Sequence, residues 1–320
     1  MIAREASVKH LRFSARHFLA TAIAVVSACA LGATAPPAEP PKINLDAFDA
    51  MKKTVQLPDG ETLAYLTLGD PNGPPVVLVH GYTDNARDWV PLVPYLSKHL
   101  RLILVDLRGH GRSSKPDCCY ALPDFAYDIV LLLDSLGIRK ADIVGHSLGS
   151  MIAQVYAETW PERTGKVVLI SSTAGPPAGA PPKPPKFDFA GQIRQLHEPL
   201  DPDSPFMVSW WSSPTPVDPD FIRRQRIDSA AIPLRVWLAI LDQGLGDVAD
   251  LQRTLPRLEA ATLLIWGSED PIMEPEVRTT LRHALPHAQV KIFQGLGHNP
   301  FWEDPRGCAA VIATFLEPAH

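Results

Sequence analysis

The hydrophobic positions of this chain fall into short runs separated by turn residues and by longer amphipathic stretches. VVLV (76–79), LILV (102–105), DIVG (142–145), VVLI (167–170), TLLIW (262–266) and VKIF (290–293) are apolar runs of strand length. Such runs suit strands covered on both faces, as in a parallel sheet with helices on either side. Ahead of them, TVQL (54–57) and TLAYLTL (62–68) flank Pro58-Asp59-Gly60 and predict a hairpin. Helix patterns lie between the runs. Residues 124–137 begin with an Asp cap and end at Gly, 148–160 stop before Pro161, and 274–285 carry Pro275 in the first turn. A last helix is expected over about 303–316. This alternation predicts an α/β sheet whose functional loops lie beyond the carboxyl ends of its strands.

One interval breaks the rhythm. Residues 172–261 hold six prolines within 176–185 and a second cluster at Pro199, Pro202, Pro205, Pro214, Pro216 and Pro219. Proline fixes φ and removes a backbone donor, so regular helix or strand cannot run through such clusters. Beyond them, DFIRRQRIDSA and LRVWLAILDQGL look like short helices with apolar faces. An insertion of this length predicts a helical cap, about 175–255, rather than a structureless loop.

The amino end has a different character. Arg4, Lys9, Arg12 and Arg16 precede an uncharged stretch from Phe18 to Ala33 that is rich in Ala, Thr and Ser. A basic segment, a short apolar run and small residues at its end predict a signal peptide within 1–35; the run is too short and too weakly apolar for a spanning helix. Two cleavage readings stand. Ala28-Cys29-Ala30 fits the small-x-small rule, and Val26-Ser27-Ala28-Cys29 resembles a lipobox in which Cys29 becomes the lipidated first residue. Residues 36–50, with Pro36-Pro37-Ala38-Glu39-Pro40-Pro41, are expected to form a tether. The protein is therefore expected to be exported, periplasmic or secreted, and to meet a membrane only through a lipid at Cys29.

Composition narrows the classes. A hydrophobic content of 46% with 20% charged residues is that of a chain with a real core. The export segment carries four of the 30 basic and one of the 35 acidic residues, so removing it takes the net charge from −5 to −8. That balance argues against a nucleic-acid partner. Cys118 and Cys119 are adjacent and Cys308 is distant, with no Cys/His ligand spacing, so no metal is expected. Buried free thiols are the favoured reading, with a bridge from Cys308 to one of the pair as the alternative in an oxidising compartment.

The chemistry-bearing residues sit at predicted strand ends. Gly145-His146-Ser147-Leu148-Gly149 joins a strand to a helix, the setting in which G-x-S-x-G holds a serine on a sharp exposed turn. A serine hydroxyl needs a base oriented by an acid. His298 follows VKIF, and Asp270 follows TLLIW, with Glu269 beside it as a weaker candidate acid. Serine, acid and histidine thus occur in that order, each beyond a strand. Backbone donors for an oxyanion are expected from Leu148 and from Tyr82, in the loop after VVLV. His80 and His146 are expected to be structural. Trp210, Trp211 and Trp237, with Phe206 and Met207, are candidates for an apolar substrate pocket, although such residues more often form a cap's own core.

From about 54 to 316 the chain resembles the α/β-hydrolase superfamily, in its capped esterase-like branch. The resemblance is carried by HGYTDNARDW (80–89), DLRGHGRSSKP (106–116), GHSLG (145–149), WGSEDPI (266–272) and GLGHNPFWEDP (295–305). It implies a mostly parallel eight-stranded sheet with the cap after the sixth strand, with Asp106 and Arg108 structural in the loop they share. It also implies hydrolysis of a small ester-like substrate by Ser147, His298 and Asp270, without a cofactor. Haloalkane dehalogenases and epoxide hydrolases carry aspartate where this chain has Ser147. Meta-cleavage hydrolases usually place Asn where His146 stands, and proline iminopeptidases a bulky aromatic where Leu148 stands. Lactone or thioester hydrolysis and perhydrolysis use the same parts and stay open, as does a noncatalytic exported binding protein on the same fold. A dehydrogenase is disfavoured because Gly109-His110-Gly111-Arg112-Ser113-Ser114 lacks the third glycine of the dinucleotide motif.

Overall fold

The computed structural model describes residues 43–96, 98–175, 179, 187–246 and 248–317. The signal-peptide and lipobox readings over 1–35, with Cys29, lie outside these residues. So does most of the expected tether, but its end is corrected by a helix. Asn44 caps α1 (Leu45–Ala50) by accepting from the Ala47 amide, and Phe48 and Asp49 turn inward and are buried. The prolines that predict an extended chain stop at Pro41, and Leu45 to Ala50 hold good helix formers with an apolar anchor.

Eight strands follow in one sheet: β1 (Lys53–Gln56), β2 (Thr62–Gly69), β3 (Pro75–Val79), β4 (Arg101–Asp106), β5 (Ala141–His146), β6 (Thr164–Ile170), β7 (Thr262–Gly267) and β8 (Gln289–Phe293). Their order is β1-β2-β4-β3-β5-β6-β7-β8. β2 runs antiparallel to both neighbours, and the other adjacent pairs are parallel. The residues from Val76 to Val79 and from Leu263 to Trp266 are buried throughout, as continuous apolar strands between two helical layers require.

Between strands, α2 (Leu122–Ser135) and α3 (Leu148–Thr159) pack on one another, and α3 lies on β5 and β6. The start of α2 is two residues earlier than the acidic cap predicts. Pro123 occupies its first turn, and Asp124 reaches back to accept from the Ala121 amide at 2.9 Å. After β6 comes the cap: α4 (Phe189–Ile193), α5 (Pro205–Trp210), α6 (Pro219–Ala230), α7 (Leu234–Ala239) and α8 (Val248–Thr254). Helix α9 (Pro275–Ala284) crosses from β7 to β8. The expected last helix divides at Asp304 into α10 (Pro300–Glu303) and α11 (Pro305–Leu316), because Asp304 accepts from Gly307 N and starts a new turn ahead of Pro305.

The loop after β4 is a buried ionic hub, as the family resemblance implies. Asp106 accepts from Lys52 Nζ at 2.9 Å, Ala86 N at 2.8 Å and Arg112 N at 2.9 Å. Arg108 grips Asp128 of α2 with two bonds, Nε to Oδ2 at 2.6 Å and Nη2 to Oδ1 at 2.5 Å. The cysteine expectation is corrected in part. Cys118 and Cys119 are bonded to each other in the turn beyond this loop, where Cys119 adopts φ 72°, and Cys308 is buried on α11 as a free thiol.

Removing one partner of a buried ion pair leaves the other charged and unpaired in low dielectric. Asp128→Ala is therefore expected to destabilise the fold by about 3–5 kcal/mol, measured by urea denaturation. A loss below about 1 kcal/mol, the size expected of an exposed pair, would show that the Arg108–Asp128 grip is not what holds this loop to α2.

Candidate active site

Ser147 stands between β5 and α3 at φ 49°, ψ −117°, a left-handed conformation that a serine adopts only under constraint. Two glycines impose it. A methyl group on Gly145 would lie 2.2 Å from the Gly149 carbonyl oxygen, and one on Gly149 would lie 2.1 Å from that of Val79. The turn is therefore pressed against the end of β3, and Ser147 N is held by Ile170 O of β6 at 2.9 Å.

His298 and Asp270 meet above the neighbouring strands. His298 Nδ1 bonds Asp270 Oδ2 at 2.9 Å, which leaves Nε2 as the free ring nitrogen. Asp270 Oδ1 accepts from the amides of Ile272 at 2.9 Å and Met273 at 3.0 Å. Burial pushes this carboxyl's pKa up, but the His298 charge and hydrogen bond, with the two amides, outweigh it and hold the pKa at about 2. Glu269 is exposed and accepts from Ser268 Oγ instead. The backbone of His298 is anchored as well: its carbonyl accepts from Ser171 Oγ at 2.7 Å and pairs with His146 Nε2 at 3.1 Å.

Ser147 and His298 line one cavity of about 560 Å³, together with Tyr82, Asp84, His146 and Asn299. Its far walls are apolar. Trp210, Trp211, Phe187 and Phe189 come from the cap, Trp302 from α10, Ile272 and Met273 from the segment leading into α9, and Val277 from α9 itself. Of the three tryptophans expected in a pocket, Trp210 and Trp211 are in the wall. Trp237 is not: it is fully buried behind Tyr82, whose ring meets it edge-on at 5.7 Å, and its carbonyl accepts from Tyr82 Oη at 2.6 Å. Phe206 and Met207 also stand outside the lining. Leu148 and Tyr82 are buried beside the serine, and among the described residues neither amide donates to a protein acceptor. Leu148 N is an unpaired donor of the first turn of α3, whose positive dipole end faces Ser147.

Partly lining the cavity is a cluster not foreseen from the motifs, Asp84, Asp88 and His146, each with one polar atom within 4.8 Å of the others'. Each has an outer atom engaged: Asp84 Oδ1 accepts from Gln225 Nε2 at 3.1 Å, Asp88 Oδ1 from Trp302 Nε1 at 2.8 Å, and His146 Nε2 faces the His298 carbonyl. A neutral ring bonded to that carbonyl carries its proton on Nε2, so Nδ1 presents a lone pair to Asp88 Oδ2, 3.5 Å away. The contact needs a proton. Burial and the charge of Asp88 push the Asp84 carboxyl well above the usual carboxylate range, and burial pushes His146 down. His80 is structural as expected, accepting from Leu107 N at 3.0 Å and donating to Gly81 O at 2.8 Å.

The fold and this arrangement define a class. The family description of the α/β hydrolase fold matches residues 74–305. The chain belongs to the α/β-hydrolase family and is a hydrolase of that family. It is 28% identical over 272 residues to the monoacylglycerol lipase abhd6-B of Xenopus laevis, covering 79% of this chain and 78% of that protein. It is 24% identical over 286 residues to Lipase 3 of a Moraxella species (strain TA144), covering 84% and 85%. The crystal structure of a membrane phospholipase A described as a bacterial virulence factor matches with a TM-score of 0.73 and 25% identity, over 85% of this chain and 88% of that one.

The Asp270 environment has a pH signature. An unfolded aspartate titrates near ~3.9, whereas the folded carboxyl titrates at about 2. Its linked stabilisation, roughly 2–3 kcal/mol, is fully present above about pH 4 and is lost as the pH falls through about 2. Asp270→Asn is expected to be less stable than the wild type at neutral pH, with the gap closing toward pH ~2 in urea titrations. A gap independent of pH would contradict a depressed carboxylate.

Proposed function

We propose that the chain hydrolyses carboxylic esters through a serine acyl-enzyme. The observation that carries this reading is the Asp270–His298 hydrogen bond at 2.9 Å, on the wall of the cavity that also presents Ser147. Ser147 Oγ attacks the ester carbonyl carbon while His298 Nε2 takes its proton. The carbonyl oxygen becomes an oxyanion that accepts from the Tyr82 and Leu148 amides. Collapse releases the alcohol, which takes the proton from His298 and leaves the acyl group on Ser147. Water, deprotonated by the same imidazole, then frees the acid. Asp270 keeps the Nδ1 proton in place and stabilises the imidazolium.

The aromatic walls suit an apolar acyl or alcohol group of modest size, and the lipase and phospholipase relatives favour an ester over other acyl compounds. Lactones and thioesters would be cleaved by the same groups, and a panel of esters, lactones and thioesters ranks them by kcat/KM. Export is the accompanying reading of residues 1–35, and mass analysis of the mature amino terminus separates a diacylated Cys29 from an unmodified Leu31 start.

Short 4-nitrophenyl esters are the first substrates to try. Ser147→Ala is expected to lower kcat by at least ~10⁴-fold while leaving the thermal melt close to that of the wild type. The wild type, but not the variant, is expected to be labelled by a fluorophosphonate. Turnover retained in Ser147→Ala would remove the nucleophile assignment.

A further inference from the structure

The loop that follows β3 is tied to the cap residue by residue. Tyr82 Oη donates to Trp237 O of α7 at 2.6 Å. Thr83 Oγ1 accepts from Trp210 Nε1 of α5 at 3.0 Å. Asp84 Oδ1 accepts from Gln225 Nε2 of α6 at 3.1 Å, and Asn85 Nδ2 donates to Asp228 Oδ2 of α6 at 3.3 Å. Arg87 Nη1 donates to Gln225 Oε1 at 3.4 Å and also to Asp228 Oδ2. The loop's inner side is fastened too, since Arg87 Nη2 donates to Asp49 of α1 at 2.5 Å and Ala86 N to Asp106.

These bonds matter because the loop is under constraint. Thr83 adopts φ 65°, a left-handed conformation that crowds a β-branched residue. Such a conformation persists only where its surroundings over-determine it, and here Thr83 is buried with its hydroxyl held by a cap tryptophan. The Tyr82 amide nitrogen lies one residue earlier, three covalent bonds before the Thr83 nitrogen. Gln225 is itself 1% exposed and bridges Asp84 and Arg87, and neither Gln225 nor Asp228 lines the cavity among the described residues.

We infer that the cap positions the oxyanion donor: Gln225 and Asp228 are positioning residues that hold the 82–87 loop so that the Tyr82 amide points at the reacting carbonyl. The inference rests on the hydrolase reading above and assigns the cap a part in transition-state stabilisation besides walling the substrate. Loss of these bonds should leave the substrate's apolar contacts intact and misalign only the donor. Misplacement of about an ångström at such a site costs up to ~10²-fold in rate.

The test compares the wild type with Gln225→Met, which keeps the side chain's length and removes both bonds, and with Asp228→Asn. The latter keeps an acceptor for Asn85 and removes the charge facing Arg87. Each is measured for kcat and KM on one 4-nitrophenyl ester, for thermal melting, and for inhibition by an aryl trifluoromethyl ketone. Ser147 Oγ would add to that ketone's carbonyl carbon, its proton passing to His298 and the new oxyanion occupying the hole. The expected result is a kcat lower by about tenfold or more with KM within about twofold, and ketone affinity weakened in parallel. Folded variants with wild-type kcat and ketone affinity overturn the inference. So does a loss confined to KM, which would make the cap a substrate wall only. If Gln225→Met does not fold, Asp228→Asn decides alone. A wild type without turnover on the ester panel and without fluorophosphonate labelling of Ser147 overturns the hydrolase reading and this inference together.

Discussion

Gly149 approaches β3 so closely that a methyl group on it would lie 2.1 Å from the Val79 carbonyl oxygen and 2.5 Å from that of His80. Much of the site depends on this contact. It sets the first turn of α3 directly against the strand end from which the 80–87 loop departs. The Leu148 amide is thereby fixed relative to Ser147 by backbone packing, whereas the loop carrying Tyr82 is held in addition by bonds to the cap. A parallel sheet makes the arrangement available, because β3, β5, β6, β7 and β8 all finish on the same edge. The strained serine is tolerable there because neighbours on three sides leave it no other conformation.

Polar groups buried below this edge are arranged in connected sets rather than as isolated pairs. Asp106 holds Lys52, Ala86 and Arg112, and Arg87 holds Asp49 and Asp228; at the surface, Arg224 extends the set to the exposed Asp46 at 2.8 Å and to Asp49 at 3.4 Å. Buried ion pairs are weak contributors to net stability, since desolvation offsets much of the attraction, but they reject alternative packings by leaving charges unpaired. In this chain they join three segments far apart in sequence: α1, the loop after β3, and α6 of the cap. The buried cluster of Asp84, Asp88 and His146 sets the loop after β3 against the end of β5. It links the cap glutamine Gln225, the α10 tryptophan Trp302 and the backbone of His298. The 82–87 loop, the backbone of His298 and the cap are thus joined by one connected set of polar contacts.

The parts of this architecture that could be read from the chain are those with local signatures. Continuous apolar runs located the strands, and G-x-S-x-G in a strand–turn–helix setting located the elbow. Asp270 and His298 were legible as polar residues placed just beyond apolar runs, in the order of a known constellation. Legibility failed where a residue's role depends on a distant partner. Gln225 looks like a surface residue of a charged helix, RRQRID, and its burial becomes visible only once Asp84 and Arg87 are opposite it. The tryptophans divided for the same reason, since Trp211 and Trp237 are each apolar cap residues, and only tertiary packing decides that one faces the cavity. The α1 helix was obscured by the neighbouring prolines, and the Cys118–Cys119 bond by a preference for free thiols that spacing alone cannot test.

Cap and loop are encoded more than a hundred residues apart, yet the cap bonds the 82–87 loop, where Thr83 adopts φ 65°, besides reaching Lys115 and Pro116 through Arg235 and Glu303 through Thr215. On this loop its bonds are to Tyr82, Thr83, Asp84, Asn85 and Arg87. Residues of the cap then fall into two physical groups. Those such as Trp211 and Phe189 face the cavity and set the shape of what can bind. Gln225 and Asp228 face the loop and, among the described residues, stand outside the cavity lining. Trp210 belongs to both, with its ring in the wall and its Nε1 on Thr83 Oγ1. It is the position at which the cavity wall and the hold on the 82–87 loop meet in one side chain.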